Sequence, residues 1–383
     1  MSQNIVEVAK KLVPLVREYA DQGERDRHLP APVVKAFNDA GIFRLCRPKA
    51  LGGLETDPVT TLEVIEELSR ADGAAGWCAM ISGAGGAFEA FIPPAGAKVM
   101  FKDPNVVVGG TFAPTGRAVA EGNGYRISGR WGIASGSGHC DWLGGSCFVF
   151  EGEGPKMGPM GPEWIVPMMA SSEVKIIDTW NVAGLRGTGS NDFEVHDLLV
   201  PAERCIRIPM MASPYEGKLF AFPFFGLLAS SISSVALGIA RSALDEMTRL
   251  AKTKTPFGMM STLASRASAQ IAISEAEMDL RSARALLHDT VGTMWDAVQH
   301  SRPISPVDRA MLRAAATNAT AASARAVDRA YTAGGASSIY VKSPLQRCFR
   351  DVHTITQHVF VAPHTHELFG KIIFGVEPDA PML

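Results

Sequence analysis

The sequence predicts an α+β chain in three parts: an N-terminal helical domain over 1–105, a middle β-barrel or sandwich domain over 106–215, and a C-terminal four-helix bundle over 216–383. Three observations predict it. Apolar residues recur every three or four positions at both ends of the chain, and short β-rich runs between glycines fill the middle. At 383 residues the chain also exceeds what one ordinary core absorbs.

In the first part, Ile5, Val8, Leu12, Leu15 and Tyr19 form one helix face. A second helix, Ala31 to Ala40, stops at Gly41, and a third starts at Pro58 behind Asp57 as N-cap. From Val106 to Ile208 the runs VVVGGTF, GYRISGRWGI, WLGGSCFVF, WIVPMM, VKII and NDFEVHDLLV read as strands. The Gly-Pro-rich stretch Glu151 to Glu163 reads as a long hairpin connection, because strands resume directly after it. Helical character returns at Pro223. The uncharged run Leu219 to Ala240 carries Pro223 and four serines, so it predicts a buried helix and not a membrane span. From Ser261 to about Gln299, Ile273, Ala276, Leu280, Ala283, Leu287 and Met294 make a 3,4-spaced seam suited to a bundle. Ser305-Pro306-Val307-Asp308 starts a capped helix that Gly334-Gly335 stops, and a last helix runs from about Leu345 to Phe374.

Composition excludes several classes of function. A net charge of -2 offers no basic surface for nucleic acid or an anionic membrane. The start, MSQNIVEVAKKLV, has no secretory h-region, so a cytoplasmic protein is expected. Six cysteines without CxxC spacing read as reduced core residues. His353, His358, His364 and His366 lack HExxH spacing or a nearby carboxylate, so no metal is predicted. Neither GxGxxG after a strand nor GxxxxGK[ST] occurs, which leaves no Rossmann or P-loop nucleotide site.

Several segments then fall in a telling order: Leu51-Gly52-Gly53, Ala71 to Trp77, Gly124 to Trp131, Ala134-Ser135-Gly136, Trp142, Gly187-Thr188-Gly189-Ser190, Val200-Pro201, Gly334-Gly335 and Arg350 to His358. Together they resemble the acyl-CoA dehydrogenase superfamily over essentially the whole chain, and within it the branch of flavin-dependent two-component monooxygenases. The resemblance implies reduced FMN or FAD lying between the β domain and the bundle, a homotetramer whose neighbouring subunits touch the flavin, and a separate flavin reductase that delivers it by diffusion.

One departure decides the chemistry. A family dehydrogenase removes a proton beside a thioester carbonyl with a carboxylate. Aligned on Arg350-Asp351, the usual glutamate position falls on Val359, and no Asp or Glu stands between Asp351 and Glu367. The alternative location, between Glu216 and Asp245, is equally empty. The resemblance then implies oxygenation: reduced flavin and O₂ give a C4a-hydroperoxide that hydroxylates a small aromatic substrate, phenolic or indole-like.

For that reaction His358 and Ser135 are the catalytic candidates. An imidazole near neutrality can hand over or take a proton, while the bland reading has His358 capping a buried polar contact on the last helix. By resemblance the Ser135 hydroxyl holds the flavin N5 region, against an ordinary Ser-Gly turn. The cofactor candidates are Trp77, Thr111, Pro114, Gly116, Trp131, Ala134, Ser135, Gly136 and Arg350, the last also able to serve as an ion pair with Asp351. Met80, Phe222 and Phe225, with Phe88 and Phe224 and alongside His358, are candidates for an apolar substrate pocket. Lys252, Lys254, Phe257 and Gly258 resemble the segment that reaches a flavin phosphate but lack its Arg, which leaves FMN against FAD open. The rival readings are a dehydrogenase with a displaced base, an amino-sugar N-oxygenase and a non-catalytic flavin-binding homologue.

Overall fold

A computed structural model describes residues 4–159, 161–210 and 212–376. Helix α1, Ile5–Asp26, begins where the Asn4 side chain accepts the Val6 N–H at 3.0 Å. Helix α2, Ala31–Asp39, ends before Gly41, whose φ of +78° suits glycine. Helix α3, Pro58–Ala71, starts under Asp57, which accepts from Thr60 N at 3.0 Å. Asp72 closes α3 and opens α4, Gly73–Ala79, by accepting from Ala75 N at 2.9 Å. The chain continues through a π turn, Met80–Ala84, and a 3₁₀ segment, Gly85–Phe91, to α5, Pro94–Met100.

Arg47 joins this helical unit to the first strand. Fully buried, it pairs with Glu89 and donates to the carbonyls of Pro104 and Val106 at 2.8 Å each. With both charges paired and the remaining donors satisfied, the burial cost of the ions is offset.

The strands are β1 Val108–Glu121, β2 Gly124–Ala134, β3 Trp142–Glu151, β4 Gly154–Pro155, β5 Met157–Gly158, β6 Gly161–Pro162, β7 Trp164–Ala170, β8 Lys175–Ile177, β9 Asn191–Pro201 and β10 Cys205–Ile208. The main sheet runs β10-β7-β3-β1-β2-β9-β8, antiparallel throughout except for the β1–β3 pair. The Glu151–Glu163 stretch folds back as short ladders, β4 on β3 and β5 on β6. Between Thr111 and Gly116 the β1–β3 register breaks, so Phe112 to Thr115 stand outside the ladder. Below this break lies Trp131, with no exposed surface. A Cβ on Gly116, Gly129 or Gly145 would come within 2.3, 2.9 and 2.7 Å of its indole, so three adjacent strands give up side chains to seat one ring.

The bundle comprises α6 Phe224–Thr253, α7 Ala267–Gln299, α8 Pro306–Gly334, α9 Pro344–Ile355 and α10 His364–Ile373. Helix α6 is the one helix among the described residues long and apolar enough to cross a membrane, and it is packed against α3 and α8. The α7 seam points inward, with Ala276, Leu280, Ala283, Leu287 and Met294 buried. Its start at Ala267 corrects the expected Ser261, because a 3₁₀ turn, Leu263–Ser265, intervenes. Ser305 and Asp308 form the expected capping box on α8.

The single helix expected over Leu345 to Phe374 is broken in two. His358 accepts the Phe360 N–H at 3.2 Å and starts a 3₁₀ turn, Val359–Val361, while Pro363 lacks the N–H a continuing helix requires. His358 therefore stands in a connection between helices and not on a helix face.

Candidate active site

Three parts of the chain converge on Trp77. Its Nε1 donates to Ser135 Oγ at 2.9 Å, and its ring meets His358 edge-on, with centroids 5.8 Å apart and planes at 62°. Helix α4, the end of β2 and the α9–α10 connection thus share one contact set. The Ser135 turn is fixed from behind. Gly136 has a φ of +73° and donates its N–H to the Thr188 carbonyl at 2.8 Å. Ser135 Oγ lies 2.8 Å from Ser190 Oγ, which lies 2.7 Å from Thr188 Oγ1, which donates to the Leu185 carbonyl at 2.8 Å.

From His358 an aromatic wall extends outward. Its ring is 5.3 Å from Phe360, Phe360 is 5.6 Å from Phe225, and Phe225 is 6.0 Å from Phe112. Phe112 in turn packs on Phe88 at 4.9 Å and Phe224 at 5.6 Å. Phe112 belongs to the segment released by the β1–β3 break, beside Thr111 and Pro114.

The capping role of His358 is present in the structure. Nδ1 accepts a backbone N–H, so the neutral ring carries its proton on Nε2. Burial pushes its pKa down to about 4, and the nearby Arg313 cation pushes in the same direction. This corrects the expectation of an imidazole poised at neutrality: the ring is neutral across the physiological range.

The remaining candidates divide. Phe225 is in the wall, as are Phe88 and Phe224. Phe222 turns instead toward Trp295, 6.5 Å away, and Met80 is buried at the start of the π turn after α4. Trp131 is reassigned, since its Nε1 donates to the Ser146 carbonyl at 2.7 Å and its ring stacks on Phe193 within the β domain. Gly116 serves that packing, Ala134 is buried at the end of β2, and Gly136 pins the turn. Arg350 has scaffold contacts. Its guanidinium engages Glu24 at 2.8 Å, Gln346 at 2.8 Å and the Ala183 carbonyl. Asp351 is not its partner; it accepts from Leu185 N at 2.6 Å, and burial raises its carboxyl to about 7.

Two concavities lie elsewhere: a cleft of about 550 Å³ bounded by Lys254, Arg266, Asp328 and Arg329, and one of about 220 Å³ beside Phe91, Tyr125 and Arg207. Neither is lined by Trp77, Ser135 or His358. Among the described residues no group of three or more His, Cys, Asp or Glu could hold a metal.

The residues fit a flavin ring. Such a ring needs flat apolar neighbours, main-chain groups for its polar edge and an oxygen near N5. Trp77, His358 and the phenylalanines are the first, the segment outside the ladder is the second, and Ser135 is the third.

Comparison with known proteins agrees. Residues 3–92 match the family model described as the acyl-CoA dehydrogenase N-terminal domain, and 230–363 match its C-terminal domain. The chain is 34% identical to an indole-3-acetate monooxygenase of Pseudomonas putida, over 95% of this chain and 92% of that one. It is 29% identical to the oxygenase subunit HsaA, a flavin-dependent monooxygenase of Mycobacterium tuberculosis, over 100% and 98%. The solved structure of XiaF from a Streptomyces species, in complex with FADH2 and glycerol, superposes with a TM-score of 0.93 at 26% identity, over 99% and 97% of the two chains.

Proposed function

The chain belongs to the acyl-CoA dehydrogenase family and is a flavin-dependent monooxygenase using reduced flavin, and on that premise we propose that it hydroxylates a small aromatic, phenolic or indole-like, with flavin supplied by a separate reductase. The observation that carries this reading is the meeting of Trp77, Ser135 and His358 with no carboxylate among them. Val359, at the glutamate position, is more than half exposed and outside that contact set. The aromatic wall favours a flat apolar substrate, and the relative that acts on indole-3-acetate supports the class.

Reduced flavin, when bound, would supply the two electrons that let one atom of O₂ enter the substrate while the other leaves as water. Each residue's part follows from its contacts. His358 carries its proton on Nε2 and would donate a hydrogen bond from it to an oxygen of the substrate or of the leaving group, while its capped Nδ1 fixes the ring. Phe112, Phe225 and Phe360 exclude water from the reacting centre. Ser135 would hold the flavin at N5. The apolar side chains exposed after α6, Phe257 and Met260, and after α8, Ile339 to Val341, support a homotetramer.

Mixing the protein anaerobically with acyl-CoA esters, at a concentration of oxidised flavin that titration shows to saturate it, tests the reading. No bleaching of the flavin absorbance is expected; bleaching would restore the dehydrogenase.

A further inference from the structure

The hydroxyl chain behind Ser135 has two ends of fixed polarity. Trp77 Nε1 can only donate, and the Leu185 carbonyl can only accept. Leu185 is itself held, its N–H on Asp351 at 2.6 Å and its carbonyl also receiving Trp180 Nε1 at 3.2 Å.

Between those ends lie three hydroxyls and three oxygen–oxygen contacts: Ser135 to Ser190 at 2.8 Å, Ser190 to Thr188 at 2.7 Å, and Thr188 to Leu185 O at 2.8 Å. Each contact needs one proton, because two oxygens this close without one set lone pairs against each other. One arrangement fills all three. Thr188 donates to Leu185, Ser190 to Thr188, and Ser135 to Ser190. All three side chains are at most 3% exposed, so bulk water does not supply an alternative donor. Ser135 Oγ, already accepting from Trp77, keeps one lone pair and has no proton left to offer.

We propose that this relay makes Ser135 an obligate acceptor and so selects reduced flavin, whose N5 carries a proton, over oxidised flavin, whose N5 is itself an acceptor. Ser190 and Thr188 are positioning residues that set the polarity of the hydroxyl. The inference rests on the reading above that Ser135 stands against N5. It gives the site a reason to take its cofactor in the form a reductase releases and to let go of the oxidised product.

Anaerobic equilibrium titration with reduced flavin, and aerobic titration with oxidised flavin, reads the device without any turnover. In Ser190→Ala the Ser135 proton is released, so oxidised flavin binds roughly 3–10-fold tighter while reduced flavin is unchanged. Thr188→Val, close to isosteric, shifts the ratio the same way, and Ser190→Thr keeps the wild-type ratio. Ser135→Ala lowers the ratio from the other side, by weakening reduced flavin. If Ser190→Ala and Thr188→Val leave the ratio intact or weaken both forms alike while Ser135→Ala lowers it, the relay is overturned and the placement of Ser135 survives. A ratio unmoved by Ser135→Ala overturns the placement and the relay together.

Discussion

His358 commits one ring nitrogen to the Phe360 N–H and so carries its proton on the other, while burial sets its titration. With its pKa pushed down to about 4, the hydroxylation rate is expected to stay level from pH 7.5 to about 5. An ordinary histidine would inflect near 6.5, and a pH–rate profile with saturating reduced flavin separates the two. His358→Ala should lower the rate on the order of 10²-fold, and His358→Gln, which keeps an N–H donor, should recover part of it. The same depression carries a stability consequence. The folded value lies below the unfolded one, so the unfolded chain takes up the proton first. Stability from His358, and from the similarly buried His139, is full above pH 6.5 and is lost as pH falls toward 4. Asp351 runs the other way, its contribution present below pH 3.8 and lost as pH rises through about 7. None of this is legible in sequence, where His358 is one of four C-terminal histidines. The candidate emerged from motif spacing, and its protonation state came only from burial and from a backbone donor two residues on.

At the scale of elements, signals confined to a few neighbouring residues were readable. Asp57, Ser305 with Asp308, and Gly334-Gly335 mark helix ends through contacts with residues two to four positions away, so the string shows both partners. The break that creates the His358 turn was only half readable: Pro363 marks it in the string, but a histidine capturing a backbone N–H has no compositional mark. Trp131 misled for a related reason. Its seat is made by Gly116, Gly129 and Gly145 on three paired strands, and only the sheet register brings those glycines to one place. Phe112 and Phe360 were passed over because their wall forms between β1 and the end of the bundle. Ser190 and Thr188 stood in a quoted motif, yet their role depends on Ser135, 55 residues away from Ser190.

Across the whole molecule, the order of helices, sheet and bundle was legible because each part repeats its own period over dozens of residues. How copies associate is a separate matter. Phe257, Met260 and Val341 are almost wholly exposed around the two ends of the bundle connections. Light scattering should give four times the chain mass, and Phe257→Glu with Met260→Glu should lower it; a monomeric wild type would remove the tetramer proposal. The relatives make the molecule a monooxygenase, and Trp77, Ser135 and His358 are the proposed seat of that chemistry. The direct measurement is the mass of the product formed from indole-3-acetate or a phenol when chemically reduced flavin is supplied under ¹⁸O₂ without nicotinamide. One ¹⁸O atom per product molecule is predicted. Product oxygen drawn from water, or consumption of O₂ with the aromatic left unchanged across that class, would contradict the account.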